Sequence, residues 1–306
     1  MINIIIHYYL TRLLDETPLE ESINELLAIS SYWFELGLIR NINFNFKLTT
    51  KLLNNVQNLN KTQFLYLMFL LNIRRTIYNN EVKSVLTYVD SLISEKNLTL
   101  NELSIISIGL FKTQTKVSYD TLENIIHFCL DHLGDKSSKF LYNYNLVSIL
   151  KLIRFSFENL HVDCRILYMD LKTMIEIIIT QKHLSFIYDS AICLTHLLLL
   201  MNYGFLYTNK ILYKTIFDIM IKKLDKFRIK DIDRILLCLS NASFFCPKYK
   251  LSILEVYLCT RRKSEINNYP FILYNIIYYL LLLDYFPQKL LKLCNGDFLK
   301  KALGKQ

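Results

Sequence analysis

The sequence predicts an all-α chain, a right-handed α-solenoid of about seven helix-hairpin repeats with a period of about 40 residues. Three observations predict it. Only 6 Gly and 4 Pro interrupt 306 residues, and hydrophobic residues make up 52%; few breakers favour long helices and short turns. Apolar helices can be anchored at Ile23, Phe64, Leu103, Leu146, Ile187, Ile232 and Ile272, at spacings of 41, 39, 43, 41, 45 and 40 residues. From those anchors, 24 of the 28 positions i, i+3, i+4 and i+7 are apolar, which is the stripe of a packed helix. The exceptions are Ser30, Ser107, Ser190 and Asn275. A single hairpin of this kind cannot bury its own apolar face, so neighbours must stack.

After a leading segment over 1–17, the first repeat opens at Thr17-Pro18, with Pro18 suited to a first helical turn and Glu20 and Glu21 complementing the helix dipole. Its second helix lies around Leu48 to Val56. The second repeat opens at Asn60-Lys61-Thr62-Gln63, with Thr62 as the cap; its first helix ends near Arg74-Arg75 and its second runs from about Glu81 to Ser94. The third repeat starts with Asn101 as N-cap, turns over Thr113 to Ser118, and uses Ser118 to cap a helix that reaches His132. Gly134 to Ser138 is the clearest loop. The fourth repeat spans Asn145 to Thr180 and the fifth Phe186 to Leu224, with Gly204 near its turn. The sixth runs from Lys230, turns near Pro247 and ends around Arg261-Arg262-Lys263. The seventh starts at Pro270 and turns at Phe286-Pro287; its second helix is short, and Gly296 and Gly304 follow. No long linker interrupts the series, so 1–306 reads as one array.

The formal charge of +9 is unevenly placed. Residues 1–208 hold 18 Lys/Arg and 19 Asp/Glu, net −1, whereas residues 209–306 hold 18 Lys/Arg and 8 Asp/Glu, net +10. The last third is therefore the part suited to a polyanion; the plainer reading is that its lysines keep an apolar array in solution. Seven cysteines with no regular spacing and no CxxC pair argue against a disulfide framework or a zinc site. Cys129, Cys193, Cys238 and Cys294 fall in helical patterns, where a free thiol packs as a small apolar group. The most apolar run, Tyr269 to Pro287, is interrupted by Asn275, and its uncharged stretch falls short of the roughly 20 residues a bilayer requires; it reads as a buried core helix. The opening MINIIIHYYLTRLL matches neither a secretory signal nor a presequence.

No catalytic or cofactor-binding signature is present. GxxxxGK[ST], GxGxxG and GxSxG are absent, and His161-Val162-Asp163 lacks the Arg and downstream Asn of a kinase catalytic loop. His127 and His132 stand about 140° apart on a helix of 3.6 residues per turn and do not share a metal. Asp231 and Asp233 flank Ile232 at a helix start and read as dipole-complementing caps. Basic residues near the turns are more suggestive. Arg40, Arg74, Arg75, Lys112, Lys116 and Arg154 fall near the ends of first helices, and in-register stacking would align them into a ridge that suits a phosphate backbone. Lys222, Lys223, Lys226, Arg228, Lys230 and Arg234 form the densest basic cluster. Such residues also stabilise helix C-termini, which is the structural reading of each taken singly. With 21 Tyr and 19 Phe, some rings are available to stack on unpaired bases.

The stretch ELSIISIGLFKTQTKVS, from Glu102 to Ser118, resembles the FAST kinase domain-containing proteins, in which a helix ending in a "GLFK" segment precedes a Thr/Ser-rich turn. YNLVSILKLIRFSF, from Tyr144 to Phe157, looks like the next helix of that family, and YPFILYNIIYYLLLLDYFPQKLLKLCNGDFL, over 269–299, resembles its FAST-like subdomain, which would occupy 269–303. The likeness spans most of residues 60–303. It implies a mitochondrial matrix protein that binds single-stranded RNA in transcript processing, stability or translation, among ribonucleoprotein or ribosomal proteins. It implies no kinase activity. The family continues into a second subdomain and a nuclease-like RAP domain, neither of which this sequence contains, so RNA cleavage is not expected of it. The alternative is a protein-interaction scaffold of the HEAT or armadillo type, since a period of about 40 suits those equally and would display an apolar groove instead of a basic one.

Overall fold

A computed structural model describes residue 12 and residues 19–37, 43–133, 143–159, 165–180, 187–204 and 209–294. Among these the secondary structure is helical throughout, without a strand. The helices are α1 (Leu19–Glu35), α2 (Asn43–Asn54), α3 (Lys61–Arg74), α4 (Asn79–Ser94), α5 (Leu100–Lys112), α6 (Tyr119–Leu133), α7 (Asn143–Asn159), α8 (Arg165–Thr180), α9 (Ala191–Tyr203), α10 (Lys210–Lys222), α11 (Ile229–Asn241), α12 (Lys248–Arg261), α13 (Lys263–Asn268), α14 (Pro270–Leu282) and α15 (Gln288–Leu291). The chain divides into two compact units, Met1–Asp170 and Leu171–Gln306. The leading segment 1–17 apart from Arg12, the loop from Gly134 to Ser138, and Arg40, Asp163, Phe186, Gly296 and Gly304 lie outside the described residues.

In the first unit the helices from α1 to α7 each meet a neighbour-but-one. α1 packs on α3, α3 on α5 and α5 on α7, while α2 packs on α4 and α4 on α6. The buried stripes explain this. Ile23, Leu26, Leu27 and Ser30 of α1 are buried, as are Phe64, Leu67, Met68 and Leu71 of α3. Leu103, Ile106, Ser107 and Leu110 of α5 follow the same spacing, and so do Leu146, Ile149, Leu150 and Ile153 of α7. These are the anchored positions. Ser30, polar on an apolar stripe, donates to Asn45 Oδ1 of α2 at 2.6 Å. Gly109 brings α5 close to α3: a Cβ there would stand 2.7 Å from the Met68 carbonyl oxygen.

Two of the expected caps are each displaced by two residues. Asn60, not Thr62, caps α3, accepting from the Gln63 N–H while Gln63 Oε1 accepts from the Asn60 N–H, both at 3.0 Å. Thr99, not Asn101, caps α5, closing a capping box with Glu102. Asn101 lies inside the helix and accepts from Asn145 Nδ2 of α7 at 2.5 Å. Ser118 caps α6 as expected, accepting from the Thr121 N–H at 3.2 Å.

In the second unit α9 packs on α11 and α11 on α14, while α10 packs on α12 and α12 on α15. Here two anchors are corrected. Ile187 lies in a 3-10 turn over 187–189, and α9 starts only after Ser190, which caps it by accepting from the Cys193 N–H at 3.3 Å. Its buried stripe is Leu194, Leu197, Leu198 and Met201. In α14 the buried set is Leu273, Ile276, Ile277 and Leu280, one residue beyond the Ile272 register. Both helices are apolar nearly all round, so amphipathic contrast does not specify their rotation. The short α13 also goes beyond the expected elements.

No described helix is long and apolar enough to cross a membrane, and no group of three His, Cys, Asp or Glu among the described residues is placed to hold a metal ion. Cys129, Cys193, Cys238 and Cys246 are buried free thiols; burial pushes Cys129 and Cys246 up to about 12 and Cys193 up to about 11.

Candidate nucleic-acid interface

The connection from α10 to α11 carries five cations and one carboxylate between Lys222 and Lys230. Its backbone is held from beneath. A 3-10 turn over Leu224–Lys226 follows α10, and Leu224, Phe227 and Ile229 are buried. Lys222, Lys226, Arg228 and Lys230 alternate with them and are exposed, so apolar anchors force the charged side chains outward. Arg262, at the end of α12, then clamps the turn. Its Nη2 donates to the carbonyls of Asp225 and Phe227, both at 2.8 Å, and of Leu224 at 3.3 Å, and its Nη1 bonds Glu265. Glu265 in turn accepts the Ile229 N–H at 2.9 Å and caps the start of α11. The clamp draws a second basic segment to the first, because exposed Arg261 and Lys263 flank Arg262.

Lys230 extends the surface to α14, where its Nζ lies 4.3 Å from the ring centroid of Tyr269, a half-exposed aromatic just before the helix. Not every cation in the cluster is available. Lys223 donates to Asp189 at 2.7 Å, and this contact holds the Asp189 carboxyl below the usual range. Arg228 grips buried Asp231 through Nε at 2.7 Å and Nη2 at 2.9 Å, and that hydrogen bonding raises the guanidinium pKa further. Its side chain nonetheless stays 56% exposed, leaving an edge open. Arg234 is half-buried beside Asp233.

The two aspartates of α11 have different roles. Asp231 caps the helix, accepting from the Arg228 N–H at 3.3 Å. Asp233 does not; it is turned toward α14, hydrogen-bonded to Asn275, with Oδ1 buried and unpartnered. Burial pushes its carboxyl up to about 6, and the Asn275 hydrogen bond and Arg234 offset only part of that. An aspartate with a raised folded-state pKa contributes stability below its unfolded pKa, near 4, and that contribution disappears as pH rises through about 6. Asp233→Asn is therefore expected to raise stability at pH 7 by about 2 kcal/mol, the roughly 3 kcal/mol of the full shift being reduced by solvent screening at a partly exposed group, and to flatten the decline between pH 4 and 6. Thermal melts of both proteins across pH 4 to 7 check this; parallel profiles would refute it.

The cations of the first unit are more dispersed. Arg74 turns inward, 4.2 Å from the Phe46 ring centroid and 5.5 Å from that of Tyr78, donating to Thr50 Oγ1 at 3.3 Å, with Nε and Nη2 buried and unpartnered. It wedges α3 against α2. Arg75 is exposed at the C-cap with φ of 61°. Lys112 is half-buried at the end of α5, Lys116 is exposed in the following turn, and Arg154 pairs with Glu158 at 2.8 Å. Of the expected ridge, Arg75 and Lys116 present open charge. Arg261, Lys263 and Tyr269 were not among the expected site residues; the basic triplet at 261–263 was the visible signal. No family model, curated protein or solved structure matches this chain.

Proposed function

We propose that the chain is an α-solenoid of helical hairpins that binds single-stranded RNA, acting in mitochondrial RNA processing, stability or translation, and that it has no catalytic role. The neighbour-but-one packing in each unit supports the repeat reading, because it is how stacked hairpins bury a face that none can bury alone. The Arg262 clamp is the observation that carries RNA binding: it fixes Lys222, Lys226, Arg228 and Lys230 beside Arg261 and Lys263, with Tyr269 at the edge. A backbone held in one conformation keeps these exposed cations grouped for contact with phosphates, and an adjacent ring offers a stacking platform. The mitochondrial setting rests on the resemblance to the FAST kinase domain-containing proteins.

A fluorescent, unstructured 20-nucleotide RNA tests this reading. Release of counterions from four phosphates predicts that binding weakens roughly 50-fold between 50 and 200 mM salt. Lys226→Glu with Lys230→Glu should weaken it at least tenfold at 50 mM. A flat salt dependence, or unchanged binding by the double variant, would overturn the proposal. One observation favours a protein-interaction scaffold instead: an open apolar cleft of about 440 Å³ in the first unit, lined by Phe34, Leu65, Tyr66, Phe69 and Ile105 with Ser31, Glu35 and Thr62.

A further inference from the structure

α14 has two apolar faces. Leu273, Ile276, Ile277 and Leu280 pack inward. On the opposite side Phe271, Tyr278, Leu281 and Leu282 are 55%, 58%, 45% and 56% exposed. Their spacing is that of one helical stripe, and α14 carries no charged residue.

α5 shows what such a stripe receives. With Leu273 set level with Leu103, Phe271 takes the place of Asn101, Tyr274 of Ser104, Tyr278 of Ile108 and Leu281 of Phe111. Two of those α5 positions hold α7: Asn101 accepts from Asn145 at 2.5 Å, and the Phe111 ring meets the Phe155 ring edge-on at 6.0 Å. The other flank agrees in register. Gly109 faces Met68 of α3, the preceding neighbour of α5, and its counterpart Tyr279 lies near Asp233 of α11, the preceding neighbour of α14. Helix α14 therefore presents a face that matches the one by which α5 receives α7; at its middle Asn275 bonds Asp233 of α11 and Tyr274 bonds Cys294, and among the described residues Phe271, Tyr278, Leu281 and Leu282 remain exposed around them.

We infer that the outer face of α14 binds one amphipathic helix of a partner protein, laid alongside it as α7 lies along α5, with an apolar stripe flanked by acidic residues. The acidic requirement follows from the surroundings. Lys230 stands over Tyr269 at the N-terminal end, exposed Lys292 follows α15, which packs on α14, and Asp284 at the far end is neutralised by Lys248 at 2.9 Å. A second copy fits less well. It would bring two basic surfaces together, and the exposed stripe amounts to roughly 400 Å², about half of what each partner contributes to a stable interface. That area suits a single helix. The inference does not depend on RNA binding.

The test uses the full chain and two stapled 17-residue helical probes, each with Leu at i, i+3, i+4 and i+7, one with Glu flanks and one with Lys flanks. Fluorescence anisotropy should show saturable micromolar binding of the Glu probe and at least tenfold weaker binding of the Lys probe. Leu282→Asp should weaken the Glu probe at least tenfold while leaving RNA affinity unchanged. If Leu282→Asp lowers the melting temperature, Tyr278→Ser and Leu282→Ser replace it, both at exposed positions. Equal binding of the two probes, or no effect of these substitutions, overturns the inference. So does a dimer in sedimentation that Leu282→Asp abolishes, which would make a second copy the occupant. Tenfold tighter probe binding after Leu299→Asp would assign the face to the segment 295–306 instead, and would equally overturn it.

Discussion

Gly109→Leu is expected to destabilise the chain by about 3 kcal/mol and to broaden its unfolding. The reason is the distance between α3 and α5. A Cβ at residue 109 would approach the Met68 carbonyl oxygen to 2.7 Å and the Met68 Cε to 2.8 Å. The methyl end of Met68 can swing away, since methionine is flexible. The carbonyl cannot, because it belongs to the α3 backbone, and Met68 itself is fully buried. A larger side chain must therefore push two helices apart, and α5 is packed on its other flank by α7. Gly109→Ala is the graded control: it gains about 1 kcal/mol of helix propensity, which offsets part of the clash. Urea denaturation of both variants measures the effect. A Gly109→Leu protein as stable as the parent would show that close approach of α3 does not explain this glycine. Domain stabilities of roughly 5–15 kcal/mol make a loss of this size decisive. The same glycine sits in the GLFK segment, so one recognisable piece of the sequence acquires a packing reason.

Glu255→Ala is expected to release α15 and to destabilise the second unit by about 3 kcal/mol. Glu255 projects from α12 and is only 4% exposed. Its Oε1 accepts from the N–H of Lys289 at 2.7 Å and of Leu290 at 3.3 Å, and its Oε2 accepts from the Tyr285 hydroxyl at 2.7 Å. The first turn of any helix leaves N–H groups without intrahelical acceptors, and in α15, four residues long, this carboxylate supplies them. Alanine would strand those donors and leave a void beside Leu290, which is fully buried. Amide exchange at Lys289 and Leu290 should accelerate by at least two orders of magnitude, beyond the change at α11. Glu255→Gln, which keeps one acceptor oxygen, should lie between the two. Unaltered exchange at both amides would show that α15 is held by its apolar contacts instead.

The stripes of α1, α7 and α11 were legible because polar residues on their outer faces gave the buried positions contrast, whereas α3 and α5, apolar on part of their outer faces at Leu65, Tyr66, Phe69 and Ile105, were placed by the spacing of about 40 residues from their neighbours. Ser30 and Ser107 looked like faults in the pattern and are buried within it. In α9 and α14 the contrast is missing, and the assigned register slipped. Caps illustrate a second limit. Asn60 and Thr62, or Thr99 and Asn101, have equal chemical capacity to cap; which one does depends on where the backbone leaves the extended conformation, as Asn60 at ψ of 168° and Thr99 at ψ of 163° do.

The cations show the divide most plainly. Arg154 with Glu158 and Arg228 with Asp231 are pairs within one helical turn, readable from spacing alone. Lys223 with Asp189, and Arg262 with the carbonyls from Leu224 to Phe227, join residues more than thirty apart. The sequence by itself determined that the chain is helical, where most helices begin and end, and that positive charge gathers in the last third, since these follow from local composition and periodicity. Only the tertiary structure decided which cations are neutralised, which are clamped outward, and that one face of α14 stands open, because each depends on which helix lies beside which.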